Sequence, residues 1–151
     1  MDLEIRYENG SMTVHLEEFL NIRSIAKVRK LLKLIRSSFT PECEQQIKEF
    51  VQDWIEQFKQ KQLENERYIT GYEQKVSYCQ KQLRDALYTR DSYKKSTPLH
   101  KSEGWDKWNE EVKGCRKELA EVKTLLRFYQ SRYNSNIRNK DFYKKVLENI
   151  T

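Results

Sequence analysis

Only four glycines and two prolines punctuate these 151 residues. That is too little turn-forming material for a sheet-rich fold of this length, so long helices are the natural alternative. The three cysteines, Cys43, Cys79 and Cys115, are equally spaced and contain no Cys-x-x-Cys pair. They exclude a disulfide scaffold, and with only His15 and His100 beside them they exclude a clustered zinc site. No Gly-rich phosphate loop is present: Gly10 belongs to a turn, while Gly71, Gly104 and Gly114 stand alone in helical context. No apolar run approaches the roughly 18 residues of a membrane span. The acidic opening Met1-Asp2-Leu3-Glu4 is not the n-region of a signal peptide, and the reading is a cytoplasmic protein without membrane contact.

What is present points to a folded helical chain. Mean hydropathy is −0.96, yet nine Tyr, six Phe and three Trp make it too aromatic for a polar disordered segment. Leu3, Ile5 and Tyr7 alternate with polar residues, Asn9-Gly10 follows, and Met12, Val14 and Leu16 alternate again. A type I′ turn centred on Asn9-Gly10 pairs Tyr7 with Met12, Ile5 with Val14 and Leu3 with Leu16, which predicts a β-hairpin over residues 1–20. Its apolar face needs a helix, a second hairpin or a partner's sheet edge to cover it.

Charge switches abruptly along the chain. Residues 1–20 carry net −4, residues 21–40 net +6 with no acid at all, and residues 41–67 net −3. Within the basic segment 21–38, Ile25, Val28, Leu31, Leu32 and Ile35 share one arc of an amphipathic helix. Arg23, Lys27 and Lys30 line one flank, and Arg29, Lys33 and Arg36 line the other. These cations either meet an external anion or face internal carboxylates such as Glu17, Glu18, Glu49, Asp53 and Glu56.

Thr40-Pro41 with Glu42 and Glu44 predicts the N-terminus of a long helix reaching about Tyr93. Ile47, Val51, Trp54, Ile55 and Phe58 form its first apolar stripe; Tyr68, Tyr72, Val76, Cys79, Leu83, Ala86 and Arg90 mark a second. The polar stretch 59–67 between them is either a solvated helix middle or a break. Trp105, Trp108, Val112, Cys115, Leu119, Val122, Leu126, Tyr129 and Tyr133 then recur at alternating spacings of three and four, an a/d seam that demands a helical partner. Folding the chain back near residue 97 sets Cys79 opposite Cys115, Ala86 opposite Trp108, Tyr72 opposite Val122 and Tyr68 opposite Leu126. The expected fold is therefore mainly α: an N-terminal β-hairpin, a short basic amphipathic helix, a long antiparallel coiled-coil-like helical hairpin over 41–133, and a short C-terminal helix over 139–150. All of it is read as one unit. Asn134-Ser135-Asn136 is taken as the interruption before that last helix, Asn139 leads it, and Tyr78, Tyr88, Tyr93 and Tyr143 are expected to stay partly exposed.

No enzyme constellation emerges, and neither a metal nor another cofactor is implied. Glu110-Glu111 and the Glu64/Glu66 pair sit in polar surroundings unsuited to acid-base work, and a strand histidine such as His15 is usually just exposed. Two basic surfaces remain as candidate binding sites: the helix with Arg23, Lys27, Arg29, Lys30, Lys33 and Arg36, and the hairpin tip over 94–101 with Tyr93, Lys94, Lys95, His100 and Lys101. Tyr and Arg favour protein interfaces. The expected function is a non-enzymatic interaction protein that binds a protein or a protein–nucleic-acid complex. Direct DNA or RNA binding through the basic helix is the first alternative, and a homodimeric or larger coiled-coil scaffold is the second. In general style the long helical hairpin and basic helix resemble accessory proteins of phages and mobile elements, anti-CRISPR proteins among them. That resemblance implies an inhibitor of a host nucleoprotein machine.

Overall fold

The computed structural model describes residues 1–151. Its elements run β1 (Asp2–Tyr7), β2 (Gly10–His15), α1 (Leu16–Asn21), α2 (Ile25–Arg36), α3 (Glu42–Asp91) and α4 (Glu103–Ile150). The fold is mainly helical, with α3 packed against α4 after an N-terminal two-stranded antiparallel hairpin. Residues 1–62 with 134–151 form one compact unit and residues 63–133 a second. No helix is long and apolar enough to cross a membrane.

In the first unit the hairpin forms where expected but in a different register. Tyr7 pairs with Gly10, Ile5 with Met12 and Leu3 with Val14, so the turn residues are Glu8 and Asn9 rather than Asn9 and Gly10. Both turn residues keep negative φ, and the positive φ falls on Gly10 (153°), which has no Cβ to oppose it. The slip is an even number of residues. The same side chains therefore still face inward, and Leu3 and Ile5 are buried as the alternation demands.

The shorter hairpin releases Leu16 from the strand. Together with Phe19 and Leu20 it gives the i, i+3, i+4 pattern of a helical turn, and α1 buries Leu16 and Leu20. Thus the strand region ends at His15, not at residue 20. Arg23 closes α1 with φ 53°, the left-handed conformation of a helix C-terminus, while its N–H donates to the Leu20 carbonyl at 3.0 Å. The basic helix then starts at Ile25, capped by Ser24, whose hydroxyl accepts from the Lys27 N–H at 3.4 Å. Arg23 accordingly lies outside the basic helix, because the residue that satisfies the first-turn N–H groups follows it.

α2 buries Val28, Leu31, Leu32 and Ile35. They meet Leu3 and Ile5 from β1, Cys43, Ile47, Val51, Ile55 and Phe58 from α3, and Tyr143, Val146 and Ile150 from α4 in one core. Thr40 does not cap α3 through its side chain. Its Oγ1 instead accepts the Arg6 N–H at 3.3 Å, while the Phe39 N–H donates to the Arg6 carbonyl at 3.1 Å.

The last part of the chain departs most from expectation. α4 passes through Asn134-Ser135-Asn136 without a break, so there is no separate helix over 139–150 and Asn139 is mid-helix. Asn and Ser lower helix propensity by well under 1 kcal/mol each, and no Pro or Gly stands there to stop the helix. Extending the three-four spacing beyond Tyr133 reaches Asn136, Lys140, Tyr143, Leu147 and Ile150, each wholly or partly covered. Lys140 donates to Gln62 Oε1 at 2.8 Å. Tyr143, expected near the surface, is only 5% exposed. It stacks on Phe58 (5.6 Å, 16°) and abuts Trp54 (5.5 Å). Burial pushes its phenol pKa up, with the Arg23 charge opposing and Glu17 adding to the rise.

In the second unit the polar stretch following residue 62 is helical, so the long helix has a solvated middle rather than a break. Asn65 within it is nonetheless buried. Every member of the seam from Trp105 to Tyr133 is at least partly covered, and Val112 is fully so. Cys79 is buried, and Cys115 is near enough for its charge to raise the Cys79 pKa. Burial is the first cause of the rise at both thiols, reinforced by Glu118 at each and by Glu111 at Cys115. Farther from the tip, Tyr129 is the aromatic partner of both Tyr68 (4.7 Å, 14°) and Tyr72 (5.4 Å, 15°). It holds the place that symmetric folding assigns to Leu126 and Val122. Offset ring stacking contributes about 0.5–1.5 kcal/mol beyond area burial, a reason for rings to meet rings.

Candidate functional site

α2 presents its cations unequally. Arg36 is engaged by Glu44, with Nη2 at 2.7 Å and Nε at 3.2 Å from Oε1, and the carboxylate raises the guanidinium pKa further. Arg29 Nε donates to Asn149 Oδ1 at 2.8 Å. Lys27, Lys30 and Lys33 are exposed and form no ion pair. Of the carboxylates named as the internal alternative to an external anion, none of Glu17, Glu18, Glu49, Asp53 or Glu56 forms an ion pair with this helix. Glu17 binds the N-terminal ammonium at 3.1 Å, and Glu56 lies beside Lys59. Arg23 is exposed in the α1–α2 link, where its charge works against the rise in the Tyr143 pKa.

Lys27 and Lys30 flank a groove of about 500 Å³ between α2, α1 and β2. Its floor is Met12, Val14, Phe19, Leu31 and Leu34, an almost wholly apolar lining. Met12 is exposed and Val14, Phe19 and Leu34 are only partly covered, because a two-stranded sheet leaves this side of α2 without a roof. The sequence named the lysines but missed the groove, since it depends on where β2 ends relative to α2. The signal present was the hairpin's own apolar face, which required a cover.

The two outer edges of the hairpin differ. On β1, Arg6 is bonded through both main-chain groups to Phe39 and Thr40, and Cys43 Sγ lies 3.4 Å from the Glu4 carbonyl as donor. On β2, the outward N–H and C=O groups of Ser11 and Thr13 have no partner. At the end of β2 the exposed His15 ring binds Asp2 Oδ1 at 2.7 Å, a contact that raises the imidazole pKa.

The hairpin tip is more ordered than a row of free cations. Lys95 Nζ lies 5.8 Å from the Trp105 ring centroid, and Arg90 covers the same ring at 5.5 Å while donating to Asn109 at 3.0 Å. Tyr93 packs across Gly104. His100 is tied through its backbone to Thr97, leaving Leu99 fully exposed beside Lys101. Lys94 and Lys101 are exposed.

Nearby in the second unit a groove of about 600 Å³ carries Asp85, Glu110, Glu111 and Glu118 around Cys115 and Trp108. No group of His, Cys, Asp and Glu side chains is placed to hold a metal ion. Comparison with protein-family models, with curated proteins and with solved structures returns no match.

Proposed function

We propose that the protein is a non-enzymatic interaction module whose α2–β2 face binds an acidic partner protein. The observation that carries this reading is the pairing of an open apolar groove with Lys27 and Lys30 at its rim, neither neutralised from within. Apolar floors with a charged rim are the pattern of protein interfaces: burial supplies the affinity, and charge supplies steering and partner choice. Tracking phosphates requires a row of available cations instead. On the other flank of α2, the Arg36 charge is already paired with Glu44 and Arg29 is held by Asn149, which shortens the row and speaks against direct nucleic-acid binding as the primary role.

A photo-crosslinking residue placed at Leu34, inside the groove, tests this in extracts of the native source. One protein species is expected to be captured from Leu34, not from Glu49 on α3, and to be lost when Lys27→Glu and Lys30→Glu are combined. Capture of nucleic acid at Leu34, or capture indifferent to the charge reversal, overturns the reading. So does a salt-sensitive mobility shift of generic duplex DNA that requires Lys30 and Lys33.

A further inference from the structure

The hairpin has two strands, and the outer edge of β2 lies beside the groove on α2. The Leu16 N–H donates to the Met1 carbonyl at 2.9 Å, extending the ladder one pair beyond β1 and β2. With Leu3 opposite Val14 and Ile5 opposite Met12, the hydrogen-bonded pairs are those of odd β1 residues with even β2 residues. Arg6 and Glu4 agree, since their main-chain groups turn outward to Phe39, Thr40 and Cys43. By the same alternation the exposed Ser11 and Thr13 direct their N–H and C=O groups away from β1, on the strand whose Met12 and Val14 line the groove.

Natural sheets usually protect such an edge with Lys, Pro, a bulge or a covering segment. Here β1 has its cover, whereas the stretch from Gly10 to Val14 contains no charge and no proline. We infer that β2 receives an extended segment of the partner protein as a third strand. Its alternate apolar side chains enter the groove over Phe19 and Leu34, and its carboxylates meet Lys27 and Lys30. This inference rests on the acidic-partner reading and gives it a binding mode, β-strand addition, in which main-chain bonds supply affinity and alternate side chains supply selectivity. A second copy of the chain is a poorer occupant because it would bring another uncompensated Lys27 and Lys30 to the same face. A nucleic-acid strand gains little from the apolar floor.

The test pans random linear peptides displayed on phage against the full chain. Enriched peptides are expected to alternate apolar with other residues and to carry Asp or Glu. Their amide-exchange signature is protection of Ser11 and Thr13 in the bound protein. Thr13→Pro removes an outward N–H while sparing the inner ladder, and is expected to weaken binding about tenfold or more, the equivalent of one to two lost hydrogen bonds. If that variant does not fold, peptides N-methylated at alternate residues make the same measurement on the wild-type chain, with one methylation phase losing affinity and the other not.

Binding that Lys27→Glu with Lys30→Glu abolishes, but that ignores Thr13→Pro and leaves Ser11 and Thr13 unprotected, overturns strand addition while sparing the acidic-partner reading. Enrichment without acidic residues, or no enrichment at all, overturns both. A dimer in light scattering that Thr13→Pro converts to monomer assigns the edge to a second copy and likewise overturns the proposal.

Discussion

The main-chain N–H of Arg6 donates to the hydroxyl of Thr40 across 3.3 Å, joining the hairpin's first strand to the entrance of the long helix α3. Thr40 is buried, so no water readily replaces it. Thr40→Val keeps the shape and deletes the acceptor. It is expected to destabilise the protein by about 1–2 kcal/mol, the cost of a partly buried N–H without a partner, while Thr40→Ser retains most of the stability. Urea unfolding with an unchanged slope and a lowered midpoint checks this, and a midpoint equal to wild type would show that the hydroxyl is dispensable.

Arg23 occupies left-handed backbone at φ 53°, a conformation costing non-glycine residues about 1–2 kcal/mol. Arg23→Gly removes that cost but adds chain entropy to the unfolded state. A net gain of roughly 0.5–1 kcal/mol is expected, seen as a raised thermal midpoint; Arg23→Ala, with its Cβ retained, is expected to show no such gain.

His15 gains its raised pKa from the hydrogen bond to Asp2 and then from the Asp2 charge. A proton held more tightly in the folded state stabilises it fully below the ordinary histidine value of 6.5, and that contribution disappears as pH rises through the folded value. Imidazole NMR titration is expected to show the upward shift in wild type and its loss in Asp2→Asn. Equal titration curves in the two proteins would dissolve the pairing.

At the tip, a Cβ on Gly104 would collide with the Tyr93 ring. Gly104→Ala is expected to displace that ring and lower stability by about 1 kcal/mol or more even though alanine is the better helix former. Tyr93→Ala opens the space, so adding Gly104→Ala to it is expected to cost little. A double-mutant cycle reads the coupling directly, and additive effects would refute the contact.

Cys79 and Cys115 hold their protons more tightly than free thiols, chiefly because burial disfavours the thiolate. Alkylation of both by iodoacetamide, followed by mass spectrometry, is expected to be slower at neutral pH than for a free thiol, with a rate that keeps rising with pH past the ordinary value of 9.0. Their neutral forms favour the fold below that pH, and this preference fades as pH climbs past it. Rapid modification of Cys79 at pH 7 would contradict its buried placement.

Periodicity alone determined the helical class, the inward faces of the hairpin, the antiparallel pairing of two long helices and the location of the unpaired lysines on α2. Each follows from spacing along the chain, which converts directly into an angle around a helix or a side of a strand. Packing decided the rest. The two-residue slip at Glu8-Asn9 and the emergence of α1 at Leu16 depend on what the hairpin rests upon. Continuity through Asn134-Ser135-Asn136 depends on Tyr143, Val146 and Ile150 finding the α3 face, since propensities worth tenths of a kcal/mol yield to burial worth several. The groove and the open edge of β2 arise only when strand, helix and linker come together, because a surface belongs to no single stretch of sequence.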